Sequence, residues 1–176
     1  MQFLKVTSPF RGLTLLFAVA VLLSVAGCGI YSLTGGSTRA GVETISVERF
    51  ENNASLIVPT LAQDITEALK DRFVSQTNLQ VVAYEGDMQF SGYISRYDVS
   101  PVAIQGDETA AQNRLTIGVK VTYEVEQYPD DNWVKTFSQF ADFSATNDLS
   151  DVEDDLIEQI LDQLTLDIFN KALSNW

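Results

Sequence analysis

The chain has 176 residues, 11 basic and 24 acidic, for a net charge of −13, with one cysteine and no histidine. That acidity argues against a nucleic-acid partner and against broad attraction to anionic lipid. Without histidine and with a single thiol, neither a Ser/His nor a Cys/His mechanism can be assembled, and the commonest metal ligand is missing. A carboxylate pair remains chemically open, but no two acids stand out from the acidic background. No enzyme activity, cofactor or metal is expected.

The amino terminus carries Lys5 and Arg11 and then runs apolar from Leu13 to Ala26, broken by Thr14 and Ser24. A positive start followed by a short apolar run is the pattern of a secretory signal. The run falls short of the roughly 20 residues that span a bilayer core. It ends in Val25-Ala26-Gly27-Cys28, which resembles the bacterial lipobox. Residues 1–27 are therefore expected to be a removed signal peptide, and Cys28 the acylated first residue of the mature chain. Two or three acyl chains hold a protein on a membrane stably, where one is marginal. Gly29, rather than aspartate, follows the cysteine, which by resemblance to sorted lipoproteins favours the outer membrane, with the domain on its periplasmic face. Residues 28–41, rich in Gly, Ser and Thr, are expected to form a flexible tether. Without the signal's Lys5 and Arg11, nine basic residues face 24 acids, a net charge of −15.

Residues 42–176 suit a single domain. Val42–Phe50 is β-rich, with a turn at Glu51–Ser55. Pro59–Gln76 predicts a helix, because Leu61, Ala62, Ile65, Leu69 and Phe73 share one side of the helical wheel. Leu79–Tyr84 predicts a short strand, with a turn at Glu85–Asp87. Met88–Val99 predicts a longer strand, with Met88, Phe90 and Ile94 on one face and Tyr93 and Tyr97 on the other. A long loop from Ser100 to about Gln112 follows; loops of that length are often functional. Arg114–Gln127 shows the clearest alternation, from Leu115 to Val125 on one parity and from Arg114 to Glu124 on the other. That pattern requires one buried and one wet face. Tyr128–Asn132 is a hairpin turn, and Trp133–Phe143 its aromatic-rich partner. Ser150–Glu153 has the form of a capping box, opening a helix that runs to about Trp176. The fold class expected is α+β: a two-layer sandwich of a mostly antiparallel mixed sheet and two amphipathic helices, in the order β-α-β-β-β-β-α, with its first β-α-β unit parallel.

The lipobox, GIYSLTGGS, the helix PTLAQDITEALKDRF, the segment SPVAIQGDETAAQNRLTIGVKV and the ending SDVEDDLIEQILDQLTLDIFNKALSNW together resemble the LptE-family lipoproteins of the Bacteroidota lineage. The likeness spans essentially the whole mature chain. It implies a partner of the outer-membrane β-barrel LptD, seated partly as a plug in its lumen and helping lipopolysaccharide reach the outer leaflet. Lipopolysaccharide itself becomes a second candidate partner. Better-studied members are described as binding it through basic residues, and this acidic chain departs from that pattern.

Four residues are candidates for contact with lipopolysaccharide or barrel. Arg114 and Lys120 share the wet parity of one strand, where a cation can be held near a phosphate or an acidic lumen; the alternative is surface charge paired with acids such as Glu124. Tyr93 and Tyr97 offer contact area with a polar tip, unless a helix covers their face and makes them core. The loop from Ser100 to Asn113 either touches a partner or serves as a plain crossover. Two other classes stay open: a binding module acting on another envelope protein, and a carboxylate enzyme.

Overall fold

A computed structural model of the chain describes residues 39–102 and 111–173. The signal segment, Cys28, most of the tether and the middle of the long loop lie outside the described residues. The elements run β1 (Thr44–Val47), β2 (Glu51–Asn52), α1 (Leu61–Gln76), β3 (Gln80–Val81), β4 (Met88–Val102), β5 (Gln112–Val125), a 3-10 turn (Pro129–Asp131), β6 (Trp133–Ser144) and α2 (Leu149–Leu173). They form one mixed sheet in the order β3-β1-β4-β5-β6, with β2 also on β4. β1 runs parallel to β3 and β4, and β4-β5-β6 is an antiparallel meander. The α+β two-layer expectation holds.

Both helices pack on one face of the sheet. The stripe expected on α1 is buried as a block: Leu61, Ile65, Leu69 and Phe73 at 0% exposure and Ala62 at 7%. α2 buries Leu156, Ile157, Ile160, Leu161, Leu164 and Ile168. Between the layers a file of rings crosses the core, from Phe169 on α2 to Phe73 on α1, Phe90 on β4, Tyr123 on β5, and Trp133 and Phe137 on β6. Successive centroids lie 4.9–5.7 Å apart. Tilted, stacked and edge-on pairs at that spacing add to the gain from burial.

Several local expectations change. The first strand is not continuous to Phe50. Its pairing with β4 slips by one residue between Val47↔Phe90 and Glu51↔Tyr93, so the expected turn contains the short strand β2. At the break, the Phe50 amide donates to Thr66 Oγ1 at 3.0 Å, and that hydroxyl donates to the Ala62 carbonyl at 2.6 Å. A buried threonine thus supplies the partner that the interrupted ladder lacks. Gly92 lets β4 and β5 close there: a Cβ would lie 2.3 Å from the Lys120 carbonyl oxygen and 2.9 Å from the Phe50 ring.

The predicted loop is shorter than expected, because Ser100–Val102 pair with Gln112–Arg114. Residues 103–110 lie outside the described residues. The predicted strand over Leu79–Tyr84 shrinks to Gln80–Val81. α2 begins at Leu149, so Ser150 lies inside the first turn, and Glu153 accepts from Tyr97 instead of closing a capping box. Leu149 and Val152 pack against the core at that end; burial of apolar surface sets the start of the helix in place of the cap.

Candidate interaction face

Among the described residues no helix covers the other face of the sheet, and its side chains follow from strand alternation. On β5 the outward parity holds Arg114, Thr116, Lys120, Thr122 and Glu124, while Leu115, Ile117, Val119, Val121, Tyr123 and Val125 are buried. Pairing with β6 brings Arg114 opposite Asp142, Thr116 opposite Phe140 and Lys120 opposite Thr136. Pairing with β4 brings Lys120 opposite Tyr93.

Arg114 is a paired cation. Its Nε and Nη2 donate to the two oxygens of Asp142 at 2.7 and 2.8 Å, and its guanidinium lies 3.6 Å from the centre of the Phe140 ring. The hydrogen bond from Arg114 holds the Asp142 carboxyl below the usual carboxylate range and raises the arginine in turn. The alternative considered for Arg114, neutralisation by a nearby acid, is realised with Asp142 rather than Glu124. Lys120 differs. Its ammonium lies 5.8 Å from the Tyr93 ring centre, and among the described residues it has no carboxylate partner. Lys120 and half-buried Tyr93 therefore meet on the open face, with Arg114 further along β5.

Tyr97 does not join them. The β4–β5 register shifts between Ile94 and Arg96, where β4 carries an extra residue. A bulge of this kind reverses which side chains face the core, and Tyr97 is turned inward to 4% exposure. Its hydroxyl donates to the Glu153 carboxylate on α2. Burial first, and then that carboxylate, push the phenol well above its ordinary range. The expected opposite-face placement of Tyr97 is corrected; it is a core side chain with a polar tie to the helix layer.

Three positions were not singled out by the sequence. Asp87, expected only in a turn, accepts from the Glu43 amide (3.0 Å), the Thr44 amide (2.9 Å) and the Thr44 hydroxyl (2.7 Å). Those bonds, the Thr44 side chain first, hold its carboxyl below the ordinary range. Phe140, 49% exposed, and Val134, 59% exposed, place apolar area on the open face of β6. Their even spacing with Thr136 and Asp142 on the strand was the available signal.

The end of the expected tether is also fixed. Arg39 pairs with Asp131 at 2.6 Å and stacks on Tyr128 at 4.5 Å. The Tyr128 hydroxyl donates to the Ala40 carbonyl at 2.9 Å, and Gln127 Nε2 donates to the Gly41 carbonyl at 3.0 Å. Residues 39–41 belong to the domain, held against the β5–β6 turn. No helix among the described residues is long and apolar enough to cross a membrane. No group of three His, Cys, Asp or Glu among them is placed to hold a metal.

A mixed sheet covered on one face by helices defines a protein of the two-layer α+β class. The family model described as LptE, lipopolysaccharide-assembly, matches residues 42–172, and the chain belongs to that family. Membership makes it a non-enzymatic protein of lipopolysaccharide assembly. Among solved structures, a minor lipoprotein from Acinetobacter baumannii is similar at 16% identity and TM-score 0.50, covering 76% of this chain and 94% of that one. A hypothetical protein from Chlamydia trachomatis matches at 9% identity and TM-score 0.47, covering 76% of this chain and 99% of that one. At 16% identity the likeness to the Acinetobacter protein concerns the fold alone. No curated protein sequence matches the chain.

Proposed function

We propose that the protein is an outer-membrane lipoprotein, cleaved before Cys28 and acylated there, that partners an LptD-like β-barrel in moving lipopolysaccharide to the outer leaflet. The observation that carries this reading is the family match over residues 42–172. The open sheet face supports it physically. The inside of an outer-membrane barrel is polar, and the Thr116, Thr122, Thr136 and charged side chains of this face suit such a wall, with Phe140 and Val134 as the apolar contacts among them. Tyr93, Lys120 and Arg114 are the proposed contacts. Lys120 is the better placed of the two cations for an anionic group, because the Arg114 charge is already matched by Asp142.

The tether fits the same reading. Residues 28–38 separate Cys28 from residues 39–41, which are held at the β5–β6 turn. The test is purification of the acylated protein in mild detergent. A large β-barrel recovered in near one-to-one amount supports the reading. Recovery of a different envelope protein in that amount, with no barrel, replaces it with a binding module of another kind. Changing Arg114 and Lys120 together to glutamate is expected to weaken lipopolysaccharide binding while the domain stays folded; unchanged binding removes these residues as contacts.

A further inference from the structure

The outer surface of the helix layer carries a groove that the sheet-face reading does not use. It runs between α1 and α2 with a volume of about 760 Å³. Ala68, Ile157 and Leu161 line its floor. Asp64, Glu67 and Asp71 rim it from α1, and Asp154, Glu158 and Asp162 from α2. Arg72 closes the floor at one end, donating to the Asp162 carbonyl at 2.9 Å and to Thr165 Oγ1 at 3.3 Å, and pairing with the Asp162 carboxylate. Arg72 thus ties the two walls of the groove together at that end.

Charge selects its occupant. Glu67 is matched by Lys70 and Asp162 by Arg72. Asp64, Asp71, Asp154 and Glu158 have no ion-pair partner among the described residues. These four lie two on each rim and do not converge as metal ligands do, so a single ion does not satisfy them. The walls run from Asp64 to Ser75 on α1 and from Asp154 to Thr165 on α2, about 16 Å at the rise of an α-helix. That is three turns. We propose that this groove docks a basic amphipathic helix of a partner protein, a narrow apolar stripe over Ala68 and the outer edges of the largely buried Ile157 and Leu161, and its Lys or Arg side chains over the two acidic rims. A helix laid into a groove by its apolar face is an established mode of recognition, and complementary charge along both rims sets its register. A second copy of this acidic chain does not meet that description.

The test uses the mature acylated protein in neutral detergent and a fluorescent synthetic peptide of about 15 residues. The peptide has leucine at helical spacing, flanked by lysine and arginine; a scrambled peptide of the same composition is the control, and protein-free micelles give the background. Substituting Asp64→Asn, Asp71→Asn, Asp154→Asn and Glu158→Gln together is expected to weaken binding about tenfold or more. Glu48→Gln, Glu51→Gln, Glu124→Gln and Glu126→Gln, an equal charge loss at exposed positions outside the groove, is expected to change it less than about threefold. Ala68→Arg, which fills the floor, is expected to abolish it. Circular dichroism confirms folding, which the quadruple variants retain because they break no ion pair. Equal weakening by the two quadruple variants, or equally tight binding of the scrambled peptide, overturns the proposal, since either means charge attraction with no site. Absence of measurable binding to the parent protein overturns it as well.

Discussion

The open face of the sheet and the outer face of the helices are both wet, yet their charges are arranged differently. On the sheet face, cations stand among acids and aromatics: Arg114 with Asp142 and Phe140, Arg96 with Asp98, Lys120 beside Tyr93. On the helix face, acids line both rims of a groove and four of them are unmatched. Strand pairing explains part of this. Residues directly opposite on adjacent strands are close enough to pair across the ladder, so Arg114 finds Asp142. On parallel rows of two helices, like charges face each other across a gap, and water screens them. The net charge of −13 is therefore not spread evenly: cations and acids alternate on the open face of the sheet, and acids dominate the outer face of the helices.

The contrast between the covered and open sides of the sheet breaks most sharply at equivalent rings. Phe73→Ala, at the centre of the ring file, is expected to cost about 3–5 kcal/mol in urea unfolding, from lost burial and the cavity left behind. Phe140→Ala on the open face is expected to cost well under half of that. Next in size, Tyr97→Phe removes the donor to Glu153 and is expected to cost about 1–2 kcal/mol, whereas Tyr93→Phe leaves stability unchanged. Equal effects at the two tyrosines, measured by the same unfolding curves, would contradict the bulge-driven reversal of β4.

Acid sharpens the comparison further. Asp87 and Asp142 both have carboxyls held below their ordinary value of 3.8. A depressed folded pKa contributes stability that is complete above the unfolded value and is lost as pH falls through the folded one. Unfolding free energy is therefore expected to decline below about pH 4, and Asp87→Asn to flatten part of that decline. A slope unaffected by this change would remove Asp87 as a lock between β1 and the turn before β4. The glutamate variant of Arg114 and Lys120 is expected to lose only a little stability, because exposed ion pairs contribute little and the like charges it sets opposite Asp142 are screened by water. Its consequence should appear in lipopolysaccharide binding instead.

Alternation carried β5 from Leu115 to Val125, with Gly118, buried on the wet parity, as its single departure. The stripe on α1 was equally legible because a 3.6-residue period needs only apolar spacing. Tyr97 was not, because a bulge adds one residue to β4 without any change in composition. The short strand β2 was hidden for the same reason, as Thr66 completes its break from a distant helix. Glu153 was expected to serve its own helix end, and its real partner, Tyr97, lies 56 residues away in sequence. In the candidate face, the shared parity of Arg114 and Lys120 was readable, but their different pairing was not. That difference depends on β6, which brings Asp142 against one and Thr136 against the other. The groove needed the relative placement of two helices, which no single amphipathic pattern contains.

The most direct test of the central claim is the composition of the complex recovered with the acylated protein from its own envelope. Quantitative mass spectrometry after mild-detergent purification is expected to show a large outer-membrane β-barrel at close to one copy per copy of this chain, with lipid on Cys28. Recovery of the acylated protein without any barrel, from membranes that contain one, would contradict it.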